Sequence, residues 1–298
     1  MKSKYKVKNA GIMLILLIIG FNSRAQLSPM GSQFYQNQYL GNPAMAGIEK
    51  GIQFNLGVRQ QWSSLPGAPL TQVLTAEYGM EKVGWGLNLY NDEAGLLKRT
   101  RTSGTYAYHL PLNNEEQKLH FGISLGFMYE RVMNEILSGD QDDQTVGRFN
   151  LRETYIDGDF GFAYTNKRLT LQAAVPNLKN FLKKDKNNPV DRSLFYTSIS
   201  YKWFTGPDQN DAVIEPKVAY RGVKGYHNLV DAGLSMSLIN RRVHMTGMYH
   251  SSKSATYGLG LSYENLSFMG SYTTETSILR TYTGGNFEMG IKYRLGKK

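Results

Sequence analysis

The chain has 298 residues, no cysteine and a formal net charge of +10, so a disulfide framework and thiolate metal sites are excluded. Five of its basic residues and none of its acidic ones fall in the first 25 positions; the remainder carries a formal charge of only +5. That balance gives little support to nucleic-acid binding, and no nucleic-acid partner is expected.

The opening segment reads as an address. Lys2, Lys4, Lys6 and Lys8 form a basic region, residues 12–19 are apolar without a break, and Ser23-Arg24-Ala25 places small residues at −3 and −1. A secretory signal peptide over residues 1–25 is expected, with the mature chain starting at Gln26. No cysteine follows that site, which excludes a lipoprotein. Downstream there is no apolar run of about 18 residues, so no transmembrane helix is expected.

Residues 26–50 are expected to form an N-terminal periplasmic segment. At its end lies Asn42-Pro43-Ala44-Met45-Ala46-Gly47. Proline disfavours the α region for Asn42, and Gly47 permits a tight reversal. Two readings stay open: a segment or plug at a barrel mouth that touches a partner, or a turn feeding the first strand.

From residue 51 the pattern has a period of two. The last segment shows it best: Phe287, Met289, Ile291, Tyr293 and Leu295 share one face, and Asn286, Glu288, Gly290, Lys292 and Arg294 share the other. The same alternation appears where Leu119, Phe121, Ile123, Leu125, Phe127 and Tyr129 oppose His120, Gly122, Ser124, Gly126 and Glu130. It recurs where Tyr257, Leu259, Leu261 and Tyr263 oppose Gly258, Gly260 and Ser262. Fourteen such segments are predicted, at 52–62, 69–79, 83–91, 99–110, 118–131, 154–165, 168–175, 192–204, 212–221, 228–238, 241–250, 255–263, 265–274 and 284–295. Tight connections such as Asn166-Lys167 and Glu264-Asn265 alternate with a set that includes long ones at 131–153, 176–191 and 274–284. Strands of about ten residues with this loop asymmetry predict an all-β fold: an antiparallel transmembrane β-barrel of about fourteen strands over residues 51–298. A barrel also explains a mean hydropathy of −0.40 beside 12% aromatic residues, since only alternate side chains meet lipid and aromatics form the girdles. Glycine on the strands is read as relief of crowding where they curve.

Several side chains invite a functional reading. Arg59 and Trp62, near the end of the first strand, could bind a client peptide by charge and stacking, or form a lumen pair and part of the girdle. Asp140, Asp142 and Asp143 lack the rest of a calcium loop and read better as a solvated loop. Lys179, Lys183, Lys184 and Lys186 could meet an acidic client, anionic lipid headgroups or water alone. Asp157, Asp159, Glu130, Glu288, Lys292 and Arg294 are expected inside the barrel as structural pairs. The five histidines show no zinc spacing, and no nucleophile elbow or phosphate loop is present. No catalytic residue, cofactor or metal is expected.

Certain motifs in combination carry a family resemblance. They are Gln33-Phe34-Tyr35-Gln36-Asn37, the Asn42–Gly47 motif, Arg59-Gln60-Gln61-Trp62, Pro66-Gly67-Ala68-Pro69, Gly84-Trp85-Gly86-Leu87, Asn91-Asp92-Glu93-Ala94-Gly95, and Tyr106-Ala107-Tyr108-His109-Leu110-Pro111. With the closing Gly290-Ile291-Lys292-Tyr293-Arg294 strand, the chain resembles the PorP/SprF family of the type IX secretion system. The resemblance implies an outer-membrane barrel serving secretion or gliding machinery. Its implied partners are a periplasmic secretion-ring lipoprotein with its associated protein, and an exported surface protein or adhesin docked through its C-terminal domain. Outer-membrane lipid is the remaining partner. On this reading Asn42, Pro43, Ala44, Gly47, Arg59 and Trp62 are the partner-binding candidates. The alternative function is a small-solute porin or transporter, because a fourteen-stranded barrel is wide enough for a channel.

Overall fold

A computed structural model describes residues 31–62, 67–113, 116–133, 154–178, 193–206, 212–223, 228–274 and 284–295. The signal peptide, the acidic cluster at Asp140, Asp142 and Asp143, and the lysines at 179, 183, 184 and 186 lie outside the described residues.

Among the described residues fifteen strands follow in chain order: β1 (Gly51–Gln61), β2 (Leu70–Gly79), β3 (Val83–Ala94), β4 (Leu97–Asn113), β5 (Gln117–Val132), β6 (Tyr155–Thr165), β7 (Leu169–Val175), β8 (Ser193–Tyr201), β9 (Trp203–Phe204), β10 (Val213–Val223), β11 (Leu229–Leu238), β12 (Val243–His250), β13 (Ser254–Tyr263), β14 (Leu266–Thr273) and β15 (Asn286–Leu295). Each pairs antiparallel with its chain neighbours, except that β8 and β9 do not pair with each other and both pair with β10, and β15 returns to β1 from Ile52↔Leu295 to Gln61↔Asn286. The sheet closes on itself, which leaves no exposed edge. β8 and β9 are one wall stave broken at Lys202, because both pair with β10 in a single register. That register sets Pro216 opposite Tyr201, and a proline has no N–H to give the ladder. The barrel therefore has fourteen antiparallel staves.

Two strands run further than the alternation predicts. β3 and β4 continue to a tight turn at Gly95-Leu96, where a loop over 92–98 is expected from sequence. Polar cross-strand pairs extend the ladder: Thr100 Oγ1 donates to Asn91 Oδ1 at 3.0 Å, and Lys98 pairs with Glu93. Gly95, at φ +58°, makes the reversal and donates its N–H to Gly67 O at 3.0 Å. The Pro-Gly-Ala-Pro and Asn-Asp-x-Ala-Gly motifs thus meet at this rim.

The two faces are inverted relative to a soluble protein. Outside lie Ile123, Leu125, Phe127, Ile156, Leu259 and Met289, all exposed. Inside, the buried side chains are mostly polar or charged, among them Arg59, Glu77, Asp157, Asp231, Glu288 and Lys292. That is the arrangement a bilayer selects, with hydrocarbon outside and paired polar groups within. Arg294 departs from its expected place: it sits half-exposed at the short-turn rim, 2.8 Å from Glu49. Among the described residues no helix is long and apolar enough to cross a membrane, so crossing falls to the strands.

Candidate functional site, a plugged lumen

The barrel interior is filled by the chain's own N-terminal segment. Residues 31–47 form three short 3-10 turns, Gly31–Phe34, Gln38–Leu40 and Pro43–Met45, and lie across the lumen between the short-turn rim and mid-height. The third turn follows from its sequence. Asn42 is extended (φ −154°, ψ 115°), its Oδ1 accepts the Ala44 N–H at 3.0 Å, and Pro43 occupies the first turn position, where a missing N–H costs nothing. Asn42 Nδ2 donates to Phe162 O at 3.0 Å, tying the turn to β6. Asn42, Ala44 and Ala46 have no exposed surface at all.

The wall is shaped to receive this segment. A Cβ added at Gly122 would lie 2.3 Å from Ala44 N, one at Gly161 2.0 Å from Asn42 Oδ1, one at Gly84 1.9 Å from Ala46 O, and one at Gly86 2.6 Å from the Tyr39 ring. These four glycines, two on β3 and one each on β5 and β6, let the plug approach where any other residue would collide, its backbone at Gly84 and Gly122 and its side chains at Gly86 and Gly161. Their role is therefore close contact with the plug rather than the relief of curvature read from sequence. Tyr39, Ala46 and Ala107 pack as a small apolar cluster, as do Ala44, Met45 and Ala163.

Polar groups fix the plug's register. Tyr39 Oη shares a hydrogen bond with Thr105 Oγ1 at 2.7 Å; Asn37 Nδ2 donates to Thr75 Oγ1 at 2.8 Å; Gln172 Nε2 donates to Gln38 Oε1 at 2.8 Å. Burial pushes the phenols of Tyr35 and Tyr39 above their ordinary range, which keeps both protonated. Two buried lysines reach in from opposite sides: Lys217 Nζ donates to Phe34 O and Lys292 Nζ to Gln36 O, each at 3.2 Å. At the exit, Glu77 accepts the Gly47 N–H at 3.0 Å and is held by Gln53 and Asn55. Gly47 and Gly51, at φ +63° and +97°, flank the exposed Ile48-Glu49-Lys50 link to β1.

The fit is incomplete. Gln36 Oε1, Asn37 Oδ1, Gln53 Oε1, Asn55 Oδ1 and Gln172 Oε1 are buried at the plug and the wall around it without a hydrogen-bond partner. A buried polar group left so costs about 1–3 kcal/mol.

Toward the long-loop end the lumen is crossed by ion pairs. Arg59 faces Glu288, Arg99 faces Glu130, and Arg101 lies 2.7 Å from Asp159. Arg221 binds Asp231, whose second oxygen is 2.7 Å from His250 Nδ1; His250 Nε2 meets Thr256 Oγ1 at 2.8 Å. A hydroxyl, an imidazole and a carboxylate in a row have the order of a nucleophile relay. Thr256, however, is buried and also bonded to Thr273 at 2.7 Å, which leaves no approach for a substrate. The row ties β10 through β14 together. Among the described residues no cluster of three or more metal-ligating side chains occurs.

The six residues singled out from sequence divide between the two ends. Asn42, Pro43, Ala44 and Gly47 belong to the plug. Arg59 is buried in the upper lumen. Trp62 stands partly exposed at the long-loop rim, at φ +49°, donating its N–H to Gly285 O at 3.0 Å. Sequence reading missed Glu77, Lys217 and the glycine seat, and placed Lys292 inside the barrel only as a structural pair. The one signal for the seat was the placing of glycines on the lumen face of several strands.

Other proteins share this architecture. The outer membrane protein Omp33 of Acinetobacter baumannii superposes with a TM-score of 0.50 at 7% identity, over 84% of this chain and 100% of that one. The toluene transporter TbuX of Ralstonia pickettii gives 0.52 at 11%, over 86% and 93%. The monoaromatic hydrocarbon channel CymD gives 0.53 at 11%, over 90% and 94%. At such identities these likenesses show the fold alone. A search of curated proteins gave no match. The model of the type IX secretion system membrane proteins PorP/SprF matches residues 23–293, so the chain, an outer-membrane barrel with a peptide plug, belongs to the PorP/SprF family.

Proposed function

We propose that this barrel is a non-enzymatic docking component of the type IX secretion or gliding machinery. In this reading a signal peptide over residues 1–25 exports the chain, the short turns face the periplasm and the long connections face outward. The periplasmic face would meet the secretion-ring lipoprotein and its associated protein, and the outer face an exported surface protein or adhesin. The observation that carries the reading is the occupied lumen: in a family of secretion membrane proteins, a barrel holding its own residues 31–47 buried across the interior suits docking better than free diffusion of small solutes. The motifs behind the resemblance support it, because Gly84, Ala107 and His109 lie against the Asn42–Gly47 motif and Gly86 against Tyr39.

Of the partner-binding candidates, Trp62 is accessible at the outer rim. Asn42, Pro43 and Ala44 would meet a partner only after the plug leaves its seat. The test is gentle detergent extraction of the native barrel with identification of what co-purifies, beside variants lacking the middle of 131–153 or of 176–191. Docking predicts co-purified secretion proteins, and folded barrels whose cells display less of a surface protein. Unchanged display, with steady ionic current through the purified barrel, would replace this reading by the porin alternative.

A further inference from the structure

The plug is a peptide bound by the barrel without any covalent tie between them except the exposed link at 48–50. Most of its backbone N–H bonds close within the plug, Gly47 to Glu77 at its end being an exception. The N–H groups of Gln36 and Asn37 turn back to Gln33 O, Leu40 to Asn37 O, Gly41 to Gln38 O, Met45 to Asn42 O and Ala46 to Pro43 O. The wall around it therefore lacks donors: Asn55 Oδ1 and Gln172 Oε1, on residues 95% buried, have no partner, nor has Gln53 Oε1. Lys217 and Lys292 supply donors of their own, aimed at peptide carbonyls. The lumen thus presents both halves of a peptide-recognition surface, ammonium donors for C=O and amide acceptors for N–H, and the resident 3-10 turns meet the donors but leave these three amide acceptors unmet.

From this geometry we infer that the lumen is a binding site for an extended polypeptide segment, and that residues 31–47 are its competitor held in cis. An extended chain has outward N–H groups at every second residue, which the coiled plug does not. Gly84 and Gly122 admit a backbone closely, whatever side chains it carries, and Gly86 and Gly161 leave room for side chains beside it. The left-handed glycines Gly47 and Gly51 on either side of the exposed link give the plug a hinge on which to swing out of the short-turn end. The incoming segment is one from the exported partner; the inference rests on the secretion reading for that source alone.

The test uses the full-length barrel in liposomes. The chain has no cysteine, so Ala44→Cys places a unique thiol at a position sealed by the plug's seat. A maleimide on a polyethylene glycol too large to enter the lumen reacts with it only when the plug swings out. Labelling is expected at least about tenfold faster than the barrel unfolds, as local opening allows. Adding a synthetic peptide of alternating threonine and valine with terminal lysines, which favours an extended backbone, should raise labelling severalfold by occupying the lumen and holding the plug out. It must be near millimolar, because a tethered competitor acts at about that effective concentration. The same peptide with methylated backbone nitrogens, which lacks the donors, should not. Ala46→Cys is the reporter if Ala44→Cys fails to insert. Labelling no faster than unfolding, or equal effects of the two peptides, overturns the inference. No secretion partner is present, so that failure removes the lumen site and leaves docking at the rims standing.

Discussion

Arg59 on β1 and Glu288 on β15 stand directly opposite each other across the seam where the first and last strands meet, 3.5 Å apart and each 3% exposed. The pair joins the two ends of the barrel in a dry interior. Breaking a buried pair by removing one partner costs roughly 3–5 kcal/mol, whereas replacing both with apolar groups is often neutral. Arg59→Met should therefore lower the urea midpoint of unfolding strongly, and the Arg59→Met, Glu288→Met double variant should recover most of the loss. A double variant no better than the single would show that the charges are not acting as a pair.

Adjacent positions on β5 report the facing of the wall. Ile123 is 55% exposed on the outside, and Ser124 is 3% exposed, sharing a 2.7 Å hydrogen bond with Thr105 beneath the plug. An arginine facing lipid near the midplane costs about 2–4 kcal/mol. Ile123→Arg should abolish the heat-modifiable barrel band, while Ser124→Arg should still insert but displace Tyr39 and unseat the plug. Equal loss of the band for both would mean that the two faces are assigned wrongly.

Glycines on the two faces should respond in opposite ways. A Cβ at Gly161 would strike Asn42 Oδ1, whereas one at Gly104 meets nothing within 4 Å. The plug contains no lysine or arginine but carries Phe34, Tyr35 and Tyr39, so chymotrypsin can report its release. Gly161→Leu should expose the Tyr39 bond to cleavage with the barrel intact, read by mass spectrometry, and Gly104→Ala should match the wild type. Protection of Tyr39 in Gly161→Leu would contradict the seat.

The buried lysines act on the plug rather than on the wall. Lys217→Met keeps the side-chain stem and removes the donor to Phe34 O. A hydrogen bond from a charged group is worth about 1.5–3 kcal/mol, and relief of burying an ammonium offsets part of that loss for the barrel. Cleavage at Tyr39 should rise about tenfold, the equivalent of roughly 1.4 kcal/mol, while the unfolding midpoint of the barrel holds or rises. A midpoint that falls with cleavage unchanged would assign Lys217 to the wall.

The staves were legible because a period of two, held for about ten residues, has one meaning when the apolar face is continuous around a closed sheet. The facing ends of β3 and β4 were set short because polar residues beyond the lipid band resemble loop, although Asn91, Glu93, Lys98 and Thr100 pair there. The plug was harder to read. Its 3-10 turns have no amphipathic period, and part of their contact is with wall backbone at Phe162 and the seat glycines, which leaves little trace in residue identity. Asn42 to Gly47 are neighbours in chain and space, but Arg59 and Trp62 follow closely in sequence and lie at the other end of the barrel. Glu77, Lys217 and Lys292 converge from three distant strands, which only the closed register brings together.

Planar-bilayer recording of the purified full-length barrel tests the plugged lumen most directly. The account predicts no steady current from the wild type and steady single-channel steps from Gly161→Leu. Steady current from the wild type, equal to that of Gly161→Leu, would contradict it.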